Sequence, residues 1–368
     1  MSRLGVIFGG PSPEHDISIL TGLQAARALA DGGSDVVALY WTKTGDWYEV
    51  SPTAEAQSFL EGPPRGSRQL SLRLGSDAGF ASEGGLRRQR LELDVVVNCC
   101  HGGPGEDGTL QGVLDLAGLR YTGPTAAGAF LGMDKLAFHD LMVGAGIPTL
   151  PRLALTDESA SLPFGPPFIV KPRFGGSSIG IQVVDDAGTA AALVRSQPLL
   201  RDGAVIEPYR ADAVDLNVSV RTHPSLEVSA VERPLRPQGR GEGIYSYEEK
   251  YLQGAGLEGA RRELPAELPA GIEGRLADAA RRVAEVALVR SVARIDFLWA
   301  GDEVWVNEIN TIPGAMAKYF WEQRQISFAQ QLRDMVEEAR QGRGRQFSVQ
   351  GADGTALRSA RAIADKLA

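Results

Sequence analysis

Short apolar runs alternate with amphipathic stretches along the first third of the chain. Three runs have the length of buried strands, at residues 4–8, 36–41 and 93–98. The pattern predicts helices at residues 18–33 and 110–117, the first with Ser18 as its N-cap and glycines at its end. This alternation favours an open parallel sheet with ligand groups at the carboxyl ends of its strands.

The rest of the chain predicts two further α/β units. Helices are expected at residues 133–146, 271–289 and 327–340, a strand at 204–209, a strand–loop–strand at 168–181 and a β-hairpin at 294–310. A chain of 368 residues is long enough for several cores. We expect an N-terminal domain at residues 1–128, a central domain at 129–220, a C-terminal domain at 221–342 and a tail at 343–368.

The predicted hairpin carries the clearest chemical signal. Arg294 and Asp296 lie two residues apart, as do Glu308 and Asn310, so each pair points to one face of its strand. Two carboxylates and an amide oxygen suit one or two Mg²⁺ ions, and the guanidinium could receive charge that develops on a substrate oxygen. An ordinary hairpin with scattered polar residues is the alternative.

The register of the hairpin separates these two interpretations. A two-residue turn at residues 301–302 would put Glu308 on the face opposite to Asp296. A three-residue loop or a bulge would pair Asp296 with Glu308 and Arg294 with Asn310. A metal site requires the second register.

A loop rich in Gly and Ser is a second candidate site. Around Gly176, Ser177 and Ser178, backbone N–H groups and hydroxyls could surround a phosphate. Lys171 precedes the loop, and an inward lysine on a strand needs an anionic partner. A plain glycine-rich hairpin is the alternative.

The long segment at residues 234–256 is rich in Gly and Tyr. Loops longer than about 12–15 residues are usually functional or disordered. We interpret this one as a lid over a nucleotide, and an unstructured surface excursion is the alternative.

Composition and charge limit the classes of function. A formal charge of −8 argues against nonspecific nucleic-acid binding. No apolar run approaches the about 20 residues of a membrane span, and the N-terminus leads into a strand without a signal-peptide pattern. The two cysteines, Cys99 and Cys100, end an apolar run and are more typical of packing in a reducing compartment than of chemistry. A cytoplasmic enzyme or binding protein is expected, without nucleic-acid or membrane partners.

Seven segments, in the same order, resemble those of the D-alanine–D-alanine ligases of the ATP-grasp superfamily. They are GGPSPEHDIS at residues 9–18, HGGPGEDG at 101–108, MDK at 133–135, KP with GSSIG at 171–180, YEEKY at 247–251, RIDF at 294–297 and NEINTIPG at 307–314. The resemblance implies an α/β protein with an ATP-grasp fold and three domains in all, the first a Rossmann-like parallel-sheet domain.

The resemblance also implies an activity. Such enzymes join two D-amino acids: the first carboxylate attacks the γ-phosphate of ATP to give an acyl phosphate, and the second amine then displaces phosphate. The site must gather several anions and exclude water. The implied cofactors are ATP and two Mg²⁺ ions, for which Mn²⁺ could substitute. A cytoplasmic homodimer that supplies D-alanyl-D-alanine for peptidoglycan is expected.

Roles in the reaction carry over by position. Glu14 would bind the first substrate's ammonium in a network with Ser177 and Tyr251 that also ties down the lid. Helix N-terminal charge is the alternative for Glu14. Arg294 and the backbone N–H of Gly314 would form the oxyanion site.

Binding roles carry over in the same way. The implied ATP contacts are Lys135, Lys171, Gly176, Ser177, Ser178, Glu207, Tyr209, Arg210, Asp215, Lys250, Phe297, Asn307 and Glu308, with Lys250 on the γ-phosphate as it is transferred. The implied metal ligands are Asp296, Glu308 and Asn310. The implied substrate contacts are Glu14, Ile17, His101, Lys318 and Tyr319. For His101 a capping role is the alternative.

The chain departs from the family after Gly314. The usual ligases carry Thr and Ser there, whose hydroxyls help to bind the second substrate's carboxylate. Here Tyr319 takes the Ser position with its hydroxyl displaced outward, and Lys318 could supply a compensating cation. The acceptor therefore stays open between D-alanine and another compound such as D-serine, D-lactate or a specialised amine. A nucleotide-binding regulator without catalysis is a third hypothesis, which the complete set of catalytic residues disfavours.

Overall fold

A computed structural model of the protein describes residues 3–83, 89–156, 162–235, 261–342, 344 and 347–359. Most of the predicted lid at residues 234–256, with Lys250 and Tyr251, lies outside this range. Within it, the strands form three sheets. None of the helices in this part of the chain combines the length and apolar character that a membrane span needs.

The first sheet combines a parallel half with an antiparallel half. Its elements are β1 (Arg3–Gly9), α1 (His15–Asp31), β2 (Asp35–Trp41), β3 (Trp47–Val50), β4 (Arg68–Arg73), β5 (Gly79–Ser82), β6 (Val95–Asn98), α2 (Gly103–Glu106), α3 (Thr109–Leu116) and β7 (Arg120–Tyr121). The strand order is β5-β4-β3-β2-β1-β6-β7. Strands β2, β1, β6 and β7 are parallel, as predicted. Strands β3 to β5 add an antiparallel meander that the sequence pattern did not reveal.

Helix α1 begins earlier than its predicted N-cap, so the prediction for Ser18 is wrong. The helix starts at His15, and Ser18 is buried inside its first turn. Its hydroxyl donates to the carbonyl oxygen of Cys99 at 2.9 Å and accepts from the N–H of Gly9 at 2.7 Å. Ser18 thus satisfies two buried backbone groups at the ends of adjacent strands, which a local capping pattern cannot indicate.

The central sheet is antiparallel throughout. Its elements are α4 (Ala126–Met133), α5 (Lys135–Gly144), β8 (Leu153–Leu155), β9 (Phe168–Pro172), β10 (Gln182–Val184), α6 (Ala187–Ser196) and β11 (Ala204–Pro208). The strand order is β10-β9-β11-β8. Strands β9 and β10 pair on either side of the Gly/Ser loop, which confirms the predicted strand–loop–strand.

The third sheet contains the hairpin. Its elements and the C-terminal helices are β12 (Val214–Arg221), β13 (Glu227–Pro234), β14 (Arg262–Glu263), α7 (Ile272–Val286), β15 (Val292–Ala300), β16 (Glu303–Asn310), α8 (Lys318–Glu322), α9 (Phe328–Gln341) and α10 (Thr355–Ser359). The strand order is β14-β13-β12-β15-β16. A domain boundary at residue 220 would cut β12, whose hydrogen bonds to β13 and β15 place the whole strand in this sheet. The other predicted domain limits stay predictions.

Helix α9, from the C-terminal part of the chain, packs against strands of the N-terminal sheet. Its buried residues Leu332 and Met335 pack in one core with Val6 and Phe8 of β1 and Val95 of β6. Burial of such apolar side chains contributes about 1.5–3 kcal/mol each, as an upper estimate. Because the same core contains Val292 of β15, this contact holds the first sheet beside the third.

Candidate active site

The hairpin of β15 and β16 reaches its register through a bulge. Its turn is the two-residue one, because Ala300 pairs with Glu303. Phe297 pairs with Val306, and the register then shifts by one residue, so that Asn307 is the extra residue on β16. Without this bulge, the two-residue turn would have put the carboxylates on opposite faces.

The bulge brings four polar side chains to one face. Asp296 pairs with Glu308, and Arg294 pairs with Asn310. Arg294 donates to the two oxygens of Asp296 at 2.7 Å each, and the Asn310 amide donates to Asp296 Oδ2 at 3.1 Å. Burial acts to lower the pKa of Arg294, but the charge and hydrogen bonds of Asp296 raise it well above its ordinary value. The guanidinium is therefore a permanent positive charge beside the carboxylates.

The oxygens on this face suit a magnesium ion. Asp296, Glu308 and Asn310 offer hard donors, and Mg²⁺ takes few protein ligands and completes its shell with water and substrate phosphates. Across the described ranges no group of three or more His, Cys, Asp or Glu could hold a metal by itself. Two carboxylates and one amide fit an ion that shares its coordination with a nucleotide.

A buried charge network lies beside the hairpin. Glu207 is only 1% exposed; it accepts from Arg152 Nε at 2.8 Å and lies 3.0 Å from Lys171 Nζ. Lys171 also donates to Asn307 Oδ1 at 3.1 Å. Arg152 donates further to the carbonyl oxygens of Lys135 and Asn307, at 2.7 and 2.9 Å. Burial would raise the pKa of Glu207, but the two cations and their hydrogen bonds lower it to about 2.

Lys135 links this network to the Gly/Ser loop. Its ammonium donates to the carbonyl oxygen of Gly175 at 2.5 Å. Burial lowers the pKa of Lys135, and the nearby negative charge of Glu308 acts in the opposite direction. The preceding residue, Asp134, caps helix α5 and is held by both Nε and a terminal nitrogen of Arg173, at 2.7 and 2.6 Å. The lysine thus lies between the loop and the carboxylate face.

Glu14 connects the first sheet with the Gly/Ser loop. Ser177 Oγ donates to Glu14 Oε1. Ser177 and Ser178 both have left-handed backbone conformations, with φ of 54° and 59°, which costs a non-glycine residue of order 1–3 kcal/mol and is typical of functional turns. A Cβ on Gly102 would lie 2.5 Å from Glu14 Oε2. Glycine at this position therefore lets the carboxylate lie against the backbone.

His101 and Glu106 brace the loop that precedes Gly314. His101 Nδ1 donates to the carbonyl oxygen of Ile312 at 2.8 Å, and its Nε2 accepts from Thr21 Oγ1 at 2.8 Å. Burial lowers the pKa of His101. Glu106 accepts from the N–H groups of Gly102 and Ile312, at 2.9 Å each. Both ring nitrogens of His101 are engaged by the protein, which favours the capping alternative.

The turn after Gly314 is strained. Ala315, Met316 and Ala317 have φ of 48°, 51° and 51°, all in the left-handed region that costs non-glycine residues of order 1–3 kcal/mol each. Buried contacts compensate, since these three side chains are at most 4% exposed. After this turn, Tyr319 lies against β13, where its hydroxyl donates to Glu232 Oε2 at 3.1 Å.

The other candidate residues differ in their own contacts and burial. Lys318 Nζ lies 5.4 Å from the ring centroid of Phe328. Arg210 stacks 4.7 Å from the ring of Trp305, and Asp215 pairs with Leu298 across β12 and β15. The remaining three are Ile17 and Phe297, which are buried, and Tyr209, whose backbone N–H donates to Pro167.

Sequence reasoning missed three residues that shape the site. Arg152, Arg173 and Glu106 each bind groups far away in the chain, with up to 206 residues between the partners. Glu106 had a signal, because it lies in the Gly-rich segment after β6. Arg152 and Arg173 had none, because a charged residue beside a proline or a phenylalanine is usually solvated.

Comparison with known proteins gives consistent matches over most of the chain. A family model described as D-ala D-ala ligase N-terminus matches residues 3–124, and one described as D-ala D-ala ligase C-terminus matches residues 146–354. The D-alanine–D-alanine ligase of Bradyrhizobium sp. (strain ORS 278) is 31% identical over 333 residues, which cover 87% of this chain and 90% of the relative. That of Mycobacterium ulcerans (strain Agy99) is 33% identical over 376 residues, with coverage of 92% and 95%.

Solved structures resemble the fold. The VanG D-Ala:D-Ser ligase from Enterococcus faecalis superposes with a TM-score of 0.76 at 24% identity, over 92% of this chain and 99% of that chain. The D-alanine–D-alanine ligase from Coxiella burnetii gives a TM-score of 0.74 at 23% identity, with coverage of 92% and 94%.

Proposed function

The chain belongs to the D-alanine–D-alanine ligase family, and we propose that it joins two D-alanines with cleavage of ATP to ADP and phosphate, supplying D-alanyl-D-alanine for peptidoglycan. The predicted family, the ligase activity and the α/β ATP-grasp fold are confirmed. The observation that carries the assignment of the site is the bulged register of the hairpin, which puts Asp296, Glu308 and Asn310 on one face beside Arg294.

The donor end of the site is formed by Glu14 and the Gly/Ser loop. Glu14 would bind the ammonium of the first D-alanine, and the hydrogen bond from Ser177 orients its carboxylate. His101 and Glu106 would act indirectly, by holding the turn that presents the backbone N–H of Gly314. A bound donor would thus lie with its carboxylate directed towards the phosphates.

The nucleotide end is formed by the buried lysines. Lys135 and Lys171 would bind phosphates of ATP, because both are buried ammonium groups that supply positive charge beside the carboxylate face. Glu207 and the backbone that follows it would bind adenine, and Asp215 the ribose. Arg152 would act indirectly, by holding Glu207, Lys135 and Asn307 in their positions.

The family uses ATP with a divalent metal, and Asp296, Glu308 and Asn310 would hold it in this chain. We propose two Mg²⁺ ions, replaceable by Mn²⁺. When bound, they supply positive charge that screens the phosphates and stabilises the transferred phosphoryl group. Arg294 and the Gly314 N–H would stabilise the oxyanion that forms when the second amine attacks the acyl phosphate. The roles of Lys250 and Tyr251 stay predictions.

The proposal is tested by the release of ADP and phosphate. Release should depend on both D-alanine and Mg²⁺. Arg294→Ala should lower kcat by about 10²–10³, as loss of a preorganised donor does at comparable sites. Glu308→Gln should raise the Mg²⁺ concentration needed for half-maximal rate. Glu303→Gln, at the exposed hairpin turn, is the control and should change neither kcat nor this Mg²⁺ concentration. Absence of D-alanine stimulation at saturating ATP would refute the proposal.

A second candidate keeps the mechanism and changes the acceptor. Tyr319 at the expected Ser position motivates it. A panel of D-alanine, D-serine, D-lactate and simple amines, scored by product mass, distinguishes the two. A wide margin in favour of D-alanine would remove the second candidate. We also propose that the enzyme acts as a homodimer in the cytoplasm, where ATP is available. Sedimentation of the purified chain at micromolar concentration measures its oligomeric state.

A further inference from the structure

Side chains from both ends of the chain hold the turn that follows Gly314. Gln331 on α9 is 1% exposed, and its Nε2 donates to the carbonyl oxygen of Met316 at 2.6 Å. Thr21 on α1 is also 1% exposed, and its hydroxyl oxygen accepts from the N–H of Ala315 at 3.3 Å. Two successive residues of the turn are therefore fixed by helices that come from distant parts of the sequence.

Gln331 departs from the apolar character of the helix face on which it lies. The other buried residues of α9 are apolar: Phe328, Leu332, Met335, Val336 and Ala339. An apolar side chain of the same size would pack there without burying an amide. The carbonyl oxygen of Met316 requires a donor, so the NH₂ group of Gln331 must face it. In the part of the chain that the structure describes, no group donates to Gln331 Oε1. The polar contact that explains this buried amide is therefore the one with the turn.

Met316 connects Gln331 with the peptide bond of Gly314. The N–H of Met316 donates to the carbonyl oxygen of Pro313 at 2.8 Å. In a trans peptide, the carbonyl and the N–H of one peptide plane point in opposite directions. The Pro313 carbonyl and the Gly314 N–H belong to the same plane, so the hydrogen bond from Met316 sets the direction in which Gly314 donates.

The backbone of the turn needs support from outside. Ala315, Met316 and Ala317 have φ of 48°, 51° and 51°, and residues with a Cβ favour negative φ when nothing holds them in the left-handed region. A return of Met316 to negative φ would turn its N–H away from Pro313. The peptide plane of Gly314 would then be free to rotate. The conformation that orients the Gly314 N–H is thus one that the chain does not favour by itself.

We infer that Gln331 is a positioning residue for the second step of the reaction, because through Met316 it keeps the Gly314 N–H directed at the oxyanion. This inference rests on the proposed ligase activity. The oxyanion forms when the amine attacks the carbonyl carbon of the acyl phosphate, which then expels phosphate as the amine loses its proton. Transfer of the γ-phosphoryl group to the donor carboxylate comes earlier and forms no oxyanion at this carbon. Loss of the Gln331 amide slows the second step and spares the first.

The test compares the rates of the two steps in the purified full-length enzyme with ATP, Mg²⁺ and D-alanine. Dipeptide formation measures the complete reaction. Movement of an oxygen-isotope label in ATP, from the β,γ-bridge to the β non-bridging positions, measures reversible phosphoryl transfer, because the β-phosphate rotates only after the bridge is broken. Gln331→Met keeps the length of the side chain and removes the donor. Its kcat for dipeptide should fall by about tenfold or more, and its ratio of label movement to dipeptide formation should rise by a similar factor. A defect in folding alone would lower both rates together and leave the ratio unchanged.

Two further variants make the result decisive. Gln330→Met changes the adjacent, exposed glutamine and should leave both rates unchanged. Gln331→Asn keeps an amide on a shorter side chain and should give an intermediate ratio, which also decides the question if Gln331→Met does not fold. A ratio in both Gln331 variants equal to that of the wild type overturns the inference. Absence of any dipeptide from the wild type counts instead against the proposed function.

Discussion

Replacement of Arg152 by Met tests how far the nucleotide cleft depends on one buried cation. The substitution removes the hydrogen bonds to Glu207, Lys135 and Asn307 and leaves Glu207 with Lys171 alone. Removing one partner of a buried ion pair costs about 3–5 kcal/mol. We therefore expect the free energy of unfolding at pH 7 to fall by this amount, and the affinity for ATP to fall with it.

The pH dependence gives an independent measure of the same network. The pKa of Glu207 is lowered from the usual 4.5 to about 2, which corresponds to about 3 kcal/mol of stability. For an acid whose pKa is lowered by folding, this contribution is complete above pH 4.5 and is lost as the pH falls towards 2. The difference in stability between the wild type and Arg152→Met should therefore shrink as the pH falls through this window.

Urea denaturation at pH 7 and pH 3, followed by circular dichroism, measures both effects. Arg281→Met is the matched control, because Arg281 is half exposed and pairs with the exposed Asp278; it should cost no more than about 1 kcal/mol. In the triple variant with Lys171→Met and Glu207→Met, part of the loss should be recovered, since no charge of this group is then left buried without a partner. A loss in Arg152→Met no larger than that of the control would refute the reasoning.

Two further predictions concern the supports of the site. Burial and the charge of Glu14 raise the pKa of Glu106 to about 7, so the wild type should lose stability as the pH rises from 4.5 to 7, and Glu106→Gln should flatten this slope in urea titrations; parallel curves would contradict it. Gly22→Ala places a methyl group 2.3 Å from Phe8 Cβ and should destabilise by roughly 1–3 kcal/mol in thermal unfolding. Gly112→Ala, with open space around it, should be neutral or stabilising by up to about 1 kcal/mol, and equal effects of the two would refute the packing explanation.

Local and linear features of the chain determined the family, the strand–loop–strand around Ser177 and the parallel half of the first sheet. These depend on apolar runs and on short motifs, which are readable without knowledge of distant contacts. The sequence also limited the hairpin to two possible registers, one of which pairs Asp296 with Glu308. A metal site required one register, and the sequence left open which of the two the turn would give.

Only the tertiary structure decided the register. A two-residue turn and the pairing of Asp296 with Glu308 occur together because Asn307 is an extra residue on β16. The tertiary structure also decided that Arg152 pairs with Glu207 and that Tyr319 turns to Glu232 rather than leaving a small hydroxyl pocket. The physical reason is common to these cases. A buried charge is stable only beside a partner of opposite charge or a hydrogen-bond donor, and here the partners are 55 and 87 residues apart in the chain, far beyond the reach of helix or strand periodicity.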